Sequence, residues 1–540
     1  MKLSEYLFER VREAGAKTLF GIPGDFALPL FRTLDRLKIP VITFTHEPAL
    51  GYAADAYARL TGFSAAIVTY GAGGLNMINS VAQAYAEKSP LLVISGAPEI
   101  LSRKKNLLIH HRVKTFESQK RIYDEICCAS VIIERADDAA AEIDYVINHI
   151  LTHKRPGYIE IPRDLNDCEI YLPSGLRPQL SLENRSIQDD SIRRTIEILA
   201  KRLNQSKQPL IYVGVEVKRL GMAEQVANLI NKLNIPFTTS MEGKASVPET
   251  HPNFVGTYMG SIGPDTSRIA MQQSDLILNI GTMMSDVNLG LFSGGVDPEK
   301  MIHITAEGLS FDGKSFPNIS LTTALFELLN HTRLGTRQFP EHLRWSPQKK
   351  EYVGPITTDG IVALVNSLIK QHPSCVILDV GDILFASSGI CSDFLLAPSY
   401  YASMGFSVPA AIASCLAVPT RKTLVLVGDG AFLMTGIELG TAKRFGLSPL
   451  IVVLNNGGYD TMKAMDDNRS FYDVPACDFV ALAKSLGVEA YQANSMDQLH
   501  DLLKTGYTTN KPILIEAMLA KNSRSLSLKK MGDGVKKISI

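Results

Sequence analysis

The chain holds one tryptophan and seven cysteines in 540 residues. Cys127 and Cys128 are adjacent, and Cys168, Cys375, Cys391, Cys415 and Cys477 are scattered, with no metal-ligand spacing among them. An odd, dispersed set excludes a disulfide framework and reads as reduced, mostly buried thiols of a cytosolic protein. Charge of one sign is missing too. Lys and Arg together number 55, as do Asp and Glu, and the pI is near 7.2. A neutral chain lacks the footprint of a nucleic-acid or membrane-surface binder. No apolar run approaches the ~20 residues that span a bilayer. The opening MKLSEYLFERVREAG is interrupted by charges every few positions, so it reads as an amphipathic helix and not a secretory signal. The expectation is a soluble, cytoplasmic protein without nucleic-acid or membrane partners.

What is present is α/β patterning. Hydrophobic content of 45% and charged content of 20% are ordinary globular values, and the length suits about three domains at ~150–200 residues each. Short apolar runs alternate with helical stretches from the start: Thr18–Gly21, Val41–Phe44, Ala65–Thr69, Leu91–Ser95, Ser130–Ile133 and Tyr158–Ile161. Strands separated by helices imply open parallel sheets covered on both faces. Proline- and serine-rich text at 171–190 and at 335–357 reads as two linkers. The predicted domains are 1–175, 190–335 and 355–525, with a basic, solvated or loosely docked tail at 526–540. Middle-domain strands are expected at Leu210–Val213, Phe237–Thr239, Leu276–Ile280 and Ile302–Thr305. Gly214 and Gly281 follow strands there without completing a dinucleotide fingerprint.

The most informative stretch is 423–458. An apolar run, Thr423–Val427, ends in Gly428-Asp429-Gly430; a helix follows from about Ala431; a second run, Leu450–Leu454, ends in Asn455-Asn456-Gly457-Gly458. Two parallel strands joined by a helix end on the same sheet edge, where α/β folds bind ligands. Asp429 and Asn456 offer hard oxygens, glycine backbones approach closely enough to add a carbonyl, and the helix start favours an anion. The unit reads as a site for a metal-bridged diphosphate. The first domain echoes it: Ala65–Thr69 runs into Gly71-Ala72-Gly73-Gly74, then a helix, then Ser89-Pro90 and LLVISG, as Ser448-Pro449 precedes LIVVLNN.

Other candidates also stand just past strands. Asp25, in Gly21-Ile22-Pro23-Gly24-Asp25-Phe26, sits on a fixed turn, where it could equally cap the next helix. Glu47, in Thr45-His46-Glu47-Pro48, opens a helix rich in small residues, which implies close packing against another backbone, in this chain or a second copy. His110 and His111 are adjacent, poor spacing for chelating one metal, and with no second cluster nearby a zinc site is not expected. As loop imidazoles they can relay protons near neutral pH.

GDG, 24 residues (431–454) and NN, taken with GIPGDF, HEPALGYAADAYAR and the histidine pair in that order, resemble the pyruvate decarboxylase group of thiamine diphosphate enzymes over nearly the full length. The group includes the indolepyruvate, phenylpyruvate and branched-chain 2-keto acid decarboxylases. The resemblance implies three α/β domains, for pyrimidine binding, the middle and the diphosphate. It implies thiamine diphosphate and Mg2+ as cofactors. Glu47 resembles the acid that hydrogen-bonds the aminopyrimidine; the Ala402 carbonyl would take its amino group, and Met404 would hold the cofactor bent. Gly428, Asp429, Gly430, Ala431, Asn456 and Gly458 would form the diphosphate site, with Asp429, Asn456 and the Gly458 carbonyl as Mg2+ ligands. Asp25, His110 and His111 resemble proton-transfer residues. The implied reaction is non-oxidative decarboxylation of a 2-keto acid to an aldehyde. In the group, sites lie between subunits of a homodimer or homotetramer.

One position departs from the pattern. In Gly458-Tyr459-Asp460-Thr461-Met462-Lys463, Met462 stands where pyruvate-using relatives carry glutamate. A flexible apolar side chain there enlarges the greasy part of the pocket and favours an aromatic substrate such as phenylpyruvate or indolepyruvate. Asp286, Asp382 (where relatives often have threonine near the cofactor) and Thr69 are further candidates for the pocket or the missing acid. Two other readings stay open here: a carboligase of the acetolactate synthase type, which the histidine pair disfavours, and a catalytically silent scaffold, which intact Glu47, Asp429 and Asn456 disfavour.

Overall fold

The computed structural model describes residues 1–170, 190–347, 353–466, 469–520 and 522–538, so the first expected linker falls almost wholly outside it. Three sheets organise the chain. The first contains Leu19–Gly21, Val41–Thr43, Ser64–Thr69, Leu91–Ala97, Ala129–Ile132 and Gly157–Pro162. In sequence rank its spatial order is 2-1-3-4-6-5, with every pairing parallel. The last sheet contains Ser374–Leu378, Leu395–Leu396, Lys422–Gly428, Leu450–Asn455, Glu489–Ala493 and Ile513–Met518, in the same order and again all parallel. The echo between the two ends of the sequence therefore extends to whole-domain topology. Central strands such as Leu450–Leu454 are buried on both faces, which explains their unbroken apolar runs.

The middle sheet departs from the simple pattern. Its five parallel strands include Phe254–Thr257, which lacks a clear apolar run. An antiparallel ribbon, Gly308–Phe311 and Lys314–Phe316, adds an edge to it. Its two-residue turn, Asp312-Gly313, has φ of 51° and 69°, the left-handed pair that an Asp-Gly hairpin needs. That dipeptide was the available signal for the ribbon.

Two expectations need correction. The described part of 335–357 is not a free linker. Phe339 and Leu343 are buried, and Trp345 meets the edge of Phe254 with ring centroids 5.4 Å apart, so 335–347 is wrapped onto the middle domain, while Ile356 is buried against the last one and bridges to Leu519. The tail is not a loose end: Leu526–Ile538 is a helix with Leu528 and Met531 buried against the last domain. Its apolar positions recur at helical spacing, but the lysines between them obscured the pattern.

The helix Glu47–Thr61 buries Ala49, Gly51, Ala53, Ala54, Ala56 and Ala58. Its small residues let it lie close to the similarly small-residue helix Ser407–Ala417 of the last domain. Within the chain the partner is thus its own far end. Arg59 locks this contact. Its guanidinium binds Asp55 in a bidentate fork at 2.6 and 2.8 Å, reaches Glu87 at 2.6 Å and the Ala397 carbonyl at 3.1 Å, and stands over the Phe406 ring. All three charged side chains are at most 2% exposed. Removing only the cation leaves two buried carboxylates without a compensating charge. Arg59→Met is therefore expected to lower stability by about 3–5 kcal/mol, read as a reduced denaturation midpoint; a change near zero would contradict this role.

Candidate active site

Segments that follow three strands of the first sheet meet around Asp25. His110 Nε2 lies 2.6 Å from Asp25 Oδ2, and Thr69 Oγ1 donates to Asp25 Oδ1 at 3.3 Å. Asp25 does not cap the following helix, whose N-cap is Ala27. The Phe26 ring stacks on His110 at 4.9 Å, and His111 meets the same imidazole edge-on at 4.8 Å. His111 has φ of 67° and passes so close to Gly71 that a Cβ there would lie 2.3 Å from the His111 carbonyl oxygen. This bend lets neighbouring imidazoles serve one site, which regular helix spacing would forbid. Asp25, His110 and His111 offer ligand atoms all within 4.8 Å of one another. The second group that the sequence failed to place near the histidines is Asp25. Desolvation pushes the Asp25 carboxyl up, but the His110 contact, the Phe26 N–H, the His110 charge and Thr69 outweigh it and hold the pKa below the ordinary value. The cluster is a partly exposed carboxylate–imidazole pair suited to holding and passing a proton.

Glu47 is the first residue of its helix, half-buried, and accepts from Asn76 Nδ2 at 2.8 Å. Its other oxygen faces the Gly73 backbone, where a Cβ would stand 3.6 Å away. Just before it, Thr45 donates its N–H and hydroxyl to buried Glu438, at 3.1 and 2.7 Å. Glu438 stands nine residues after Asp429, so the first domain is bonded to the far end of the segment that Asp429 opens.

The last sheet gathers the other half. Asp429 is 3% exposed; it accepts from Gly430 N at 2.7 Å, Gly457 N at 2.7 Å and Asn456 N at 3.2 Å. Asn456 Oδ1 accepts from Gly458 N at 3.1 Å. The two loops are thereby drawn together at the strand ends. Gly430 must lack a side chain, since a Cβ would meet the Tyr459 ring at 2.5 Å. Gly428 is the extended N-cap of the helix Asp429–Thr435, and Ala431 is buried in its first turn. Burial pushes the Asp429 carboxyl up against the pull of these N–H groups, and burial followed by the Asp429 charge pushes up nearby Asp460, which Arg524 and Lys463 oppose. A carboxylate, a carboxamide and a backbone carbonyl form a hard-oxygen set. A divalent cation there would offset buried Asp429 and half-buried Asp460, so the residues fit Mg2+ with a diphosphate.

Ala402 is exposed with φ of 60°, and half-buried Met404 follows it. Two residues that sequence reasoning missed set this turn. Glu87 Oε1 accepts the N–H groups of Tyr400 and Tyr401 at 3.0 and 3.1 Å. Buried Asp379 accepts from Gly405 N at 3.0 Å and Ser407 N at 2.8 Å. Both look like ordinary helix-end or strand-end acids in the sequence, and only the fold reveals their acceptors.

The remaining candidates lie elsewhere. Met462 is 42% exposed on the helix Asp460–Met465. Asp286 is exposed, and its carboxylate accepts the Val287 N–H at 2.8 Å. The Asp382 carboxylate is turned to Thr358 Oγ1 at 2.7 Å and to Ser525. Among the described residues, no hydrogen bond joins the Asp25–Glu47–His110 group to the Asp429–Asn456 group.

The comparisons with known proteins decide the family. Residues 1–120, 196–331 and 386–517 match the thiamine pyrophosphate enzyme N-terminal TPP binding domain, central domain and C-terminal TPP binding domain. The chain is 34% identical to an indole-3-pyruvate decarboxylase of Azospirillum brasilense, over 100% of this chain and 99% of that one. The chain belongs to the thiamine pyrophosphate-dependent decarboxylases. It is 30% identical to an alpha-keto-acid decarboxylase of Mycobacterium tuberculosis, over 96% and 94% of the two chains. It is 28% identical to pyruvate decarboxylase isozyme 2 of Saccharomyces cerevisiae, over 91% and 90%. Thiamine diphosphate is the cofactor of this chain, its two binding domains built on the two sheets of matching strand order. Asp429→Ala is expected to weaken Mg2+-dependent thiamine diphosphate binding at least about tenfold, measured by calorimetry; unchanged affinity would remove Asp429 from the cation site.

Proposed function

We propose that this enzyme converts a bulky aromatic 2-keto acid, of the phenylpyruvate or indolepyruvate kind, to the aldehyde and CO2. The observation that carries the substrate class is Met462, a partly exposed apolar side chain four residues beyond Gly458 where pyruvate-using relatives place glutamate. The full-length similarity to an indole-3-pyruvate decarboxylase supports the same choice.

Asp429, Asn456 and the Gly458 carbonyl would hold Mg2+ and, through it, the diphosphate. Bound thiamine diphosphate supplies the electron sink for the pair left when CO2 departs. The chain's residues orient it and manage protons. Glu47, oriented by the Asn76 amide, would hydrogen-bond the aminopyrimidine ring. The Ala402 carbonyl and Met404 would hold the cofactor's rings in place. His110 Nε2 shares a proton with Asp25 Oδ2, and with His111 this pair delivers a proton toward the reacting carbon. Delivery there favours aldehyde release over ligation to a second carbonyl compound. Met462 excludes water beside the substrate side chain.

The working unit in this proposal is a dimer or tetramer in the cytoplasm. Leu433 and Met434 on the Asp429–Thr435 helix and Ile437 just after it are 39 to 49% exposed, and a second copy would cover them. That copy would bring its own Glu47 and Asp25 to this chain's Asp429. All seven cysteines are free thiols, in keeping with a reducing compartment.

A panel of pyruvate, 2-ketoisovalerate, phenylpyruvate and indolepyruvate, assayed for CO2 and aldehyde with Mg2+ and thiamine diphosphate, tests the reading. Aromatic substrates should show the highest kcat/KM, and best turnover on pyruvate would overturn the substrate class. Met462→Glu should shift the ratio toward pyruvate by about tenfold or more. Glu47→Ala should lower kcat about 10²–10⁴-fold; full activity would refute its role.

A further inference from the structure

We infer that Asp382 is a positioning residue: it latches the C-terminal helix against the Met462 helix and the Asp286 loop, and so sets the substrate-side wall of the site. The latch is read from packing alone; its effect on substrate choice rests on the decarboxylase reading above.

Asp382 is 9% exposed, and both of its oxygens are occupied. Oδ2 accepts from Thr358 Oγ1 at 2.7 Å and from Ser525 N at 2.9 Å, while Oδ1 accepts from the Ser525 hydroxyl. Ser525 directly precedes the helix Leu526–Ile538, and its Oγ accepts from Leu528 N at 3.1 Å, a capping bond. Asp359, next to Thr358, accepts the Leu526 N–H at 3.3 Å. Two carboxylates thus hold the start of this helix, where the helix dipole also favours negative charge. Ser525 is 1% exposed, so without Asp382 its N–H loses its acceptor out of reach of water.

The helix transmits this anchoring in two directions. Leu528 and Met531 share a buried cluster with Ala464, and Met465 packs against it. Gly532 comes so near that a Cβ would lie 2.4 Å from the Ala464 carbonyl oxygen. Ala464 is two residues from Met462 on the same six-residue helix. On the other side, Val287 and Leu291 pack against the same cluster, and Leu291 N donates to the Asp286 carbonyl at 2.8 Å. One anchored helix therefore fixes both elements that carry substrate-side candidates. A threonine at 382 would offer one hydroxyl where the carboxylate spreads three acceptor contacts over two oxygens.

The test uses the full-length protein with Asp382→Asn and Ser525→Ala. Hydrogen–deuterium exchange of 525–535 and of 459–466 should quicken at least about tenfold in both variants. In double-mutant combination the two effects should be strongly non-additive, because one contact is removed twice. The ratio of kcat/KM for phenylpyruvate over pyruvate should shift about threefold or more; a merely structural role would lower both substrates equally. Unchanged exchange in both variants, or an equal loss on all substrates, overturns the inference. If Asp382→Asn unfolds the domain, Ser525→Ala decides alone, since it deletes a single hydroxyl. Faster exchange in a chain that decarboxylates no keto acid would sink the functional reading and leave the latch. Normal exchange in an active enzyme would do the reverse.

Discussion

The buried Arg59 guanidinium is the contact on which most of the architecture depends. It neutralises Asp55 on its own helix and Glu87 at the end of the helix Ile78–Ala86, and it reaches across to the Ala397 carbonyl of the last domain. Held in this way, Glu87 has a free oxygen for the N–H groups of Tyr400 and Tyr401. Those two bonds set the approach to Ala402 and Met404, the turn on which the cofactor ring rests in the proposed mechanism. Stability and site geometry therefore share one charged centre. Desolvated charges of this kind are costly unless each finds its partner, so the arrangement is specific as well as stable.

The same economy appears at the sheet edges. Both terminal domains use one strand order, and each places its chemistry at the carboxyl ends of its strands. In the first domain the loops from these ends carry the Asp25–His110 carboxylate–imidazole pair. In the last they carry the hard oxygens around Asp429. Parallel strands require crossover helices, and those helices leave the carboxyl edge open to loops. The small-residue helices Glu47–Thr61 and Ser407–Ala417 then bring the two domains face to face.

Much of this was legible in the sequence because the signals are local. Buried parallel strands are short apolar runs ended by Gly, Asp or Asn, and 423–458 shows two of them at a telling distance. The Asp312-Gly313 ribbon was equally local and was passed over because its strands alternate weakly. The C-terminal helix was hidden for another reason. Its apolar residues, Leu528, Met531 and Val535, are few and lie among lysines, so composition pointed to solvent while spacing pointed to a buried stripe. Asp382 was read as a cofactor-side acid from its place after a strand, yet its acceptors are filled from residues 358 and 525.

The sequence by itself determined the α/β class and the cofactor signature, and it nominated candidate groups: Asp25, Glu47, His110, His111, Asp429, Asn456 and Met462. These follow from periodicity and from residue types at strand ends, which depend on neighbours a few positions away. Only the tertiary structure decided which groups meet. Asp25 joins His110 across 85 residues, Thr45 reaches Glu438 across 393, and Asp382 turns away to Ser525 across 143. Contacts at such separations depend on how domains pack, and no local pattern encodes the partner of a lone buried carboxylate.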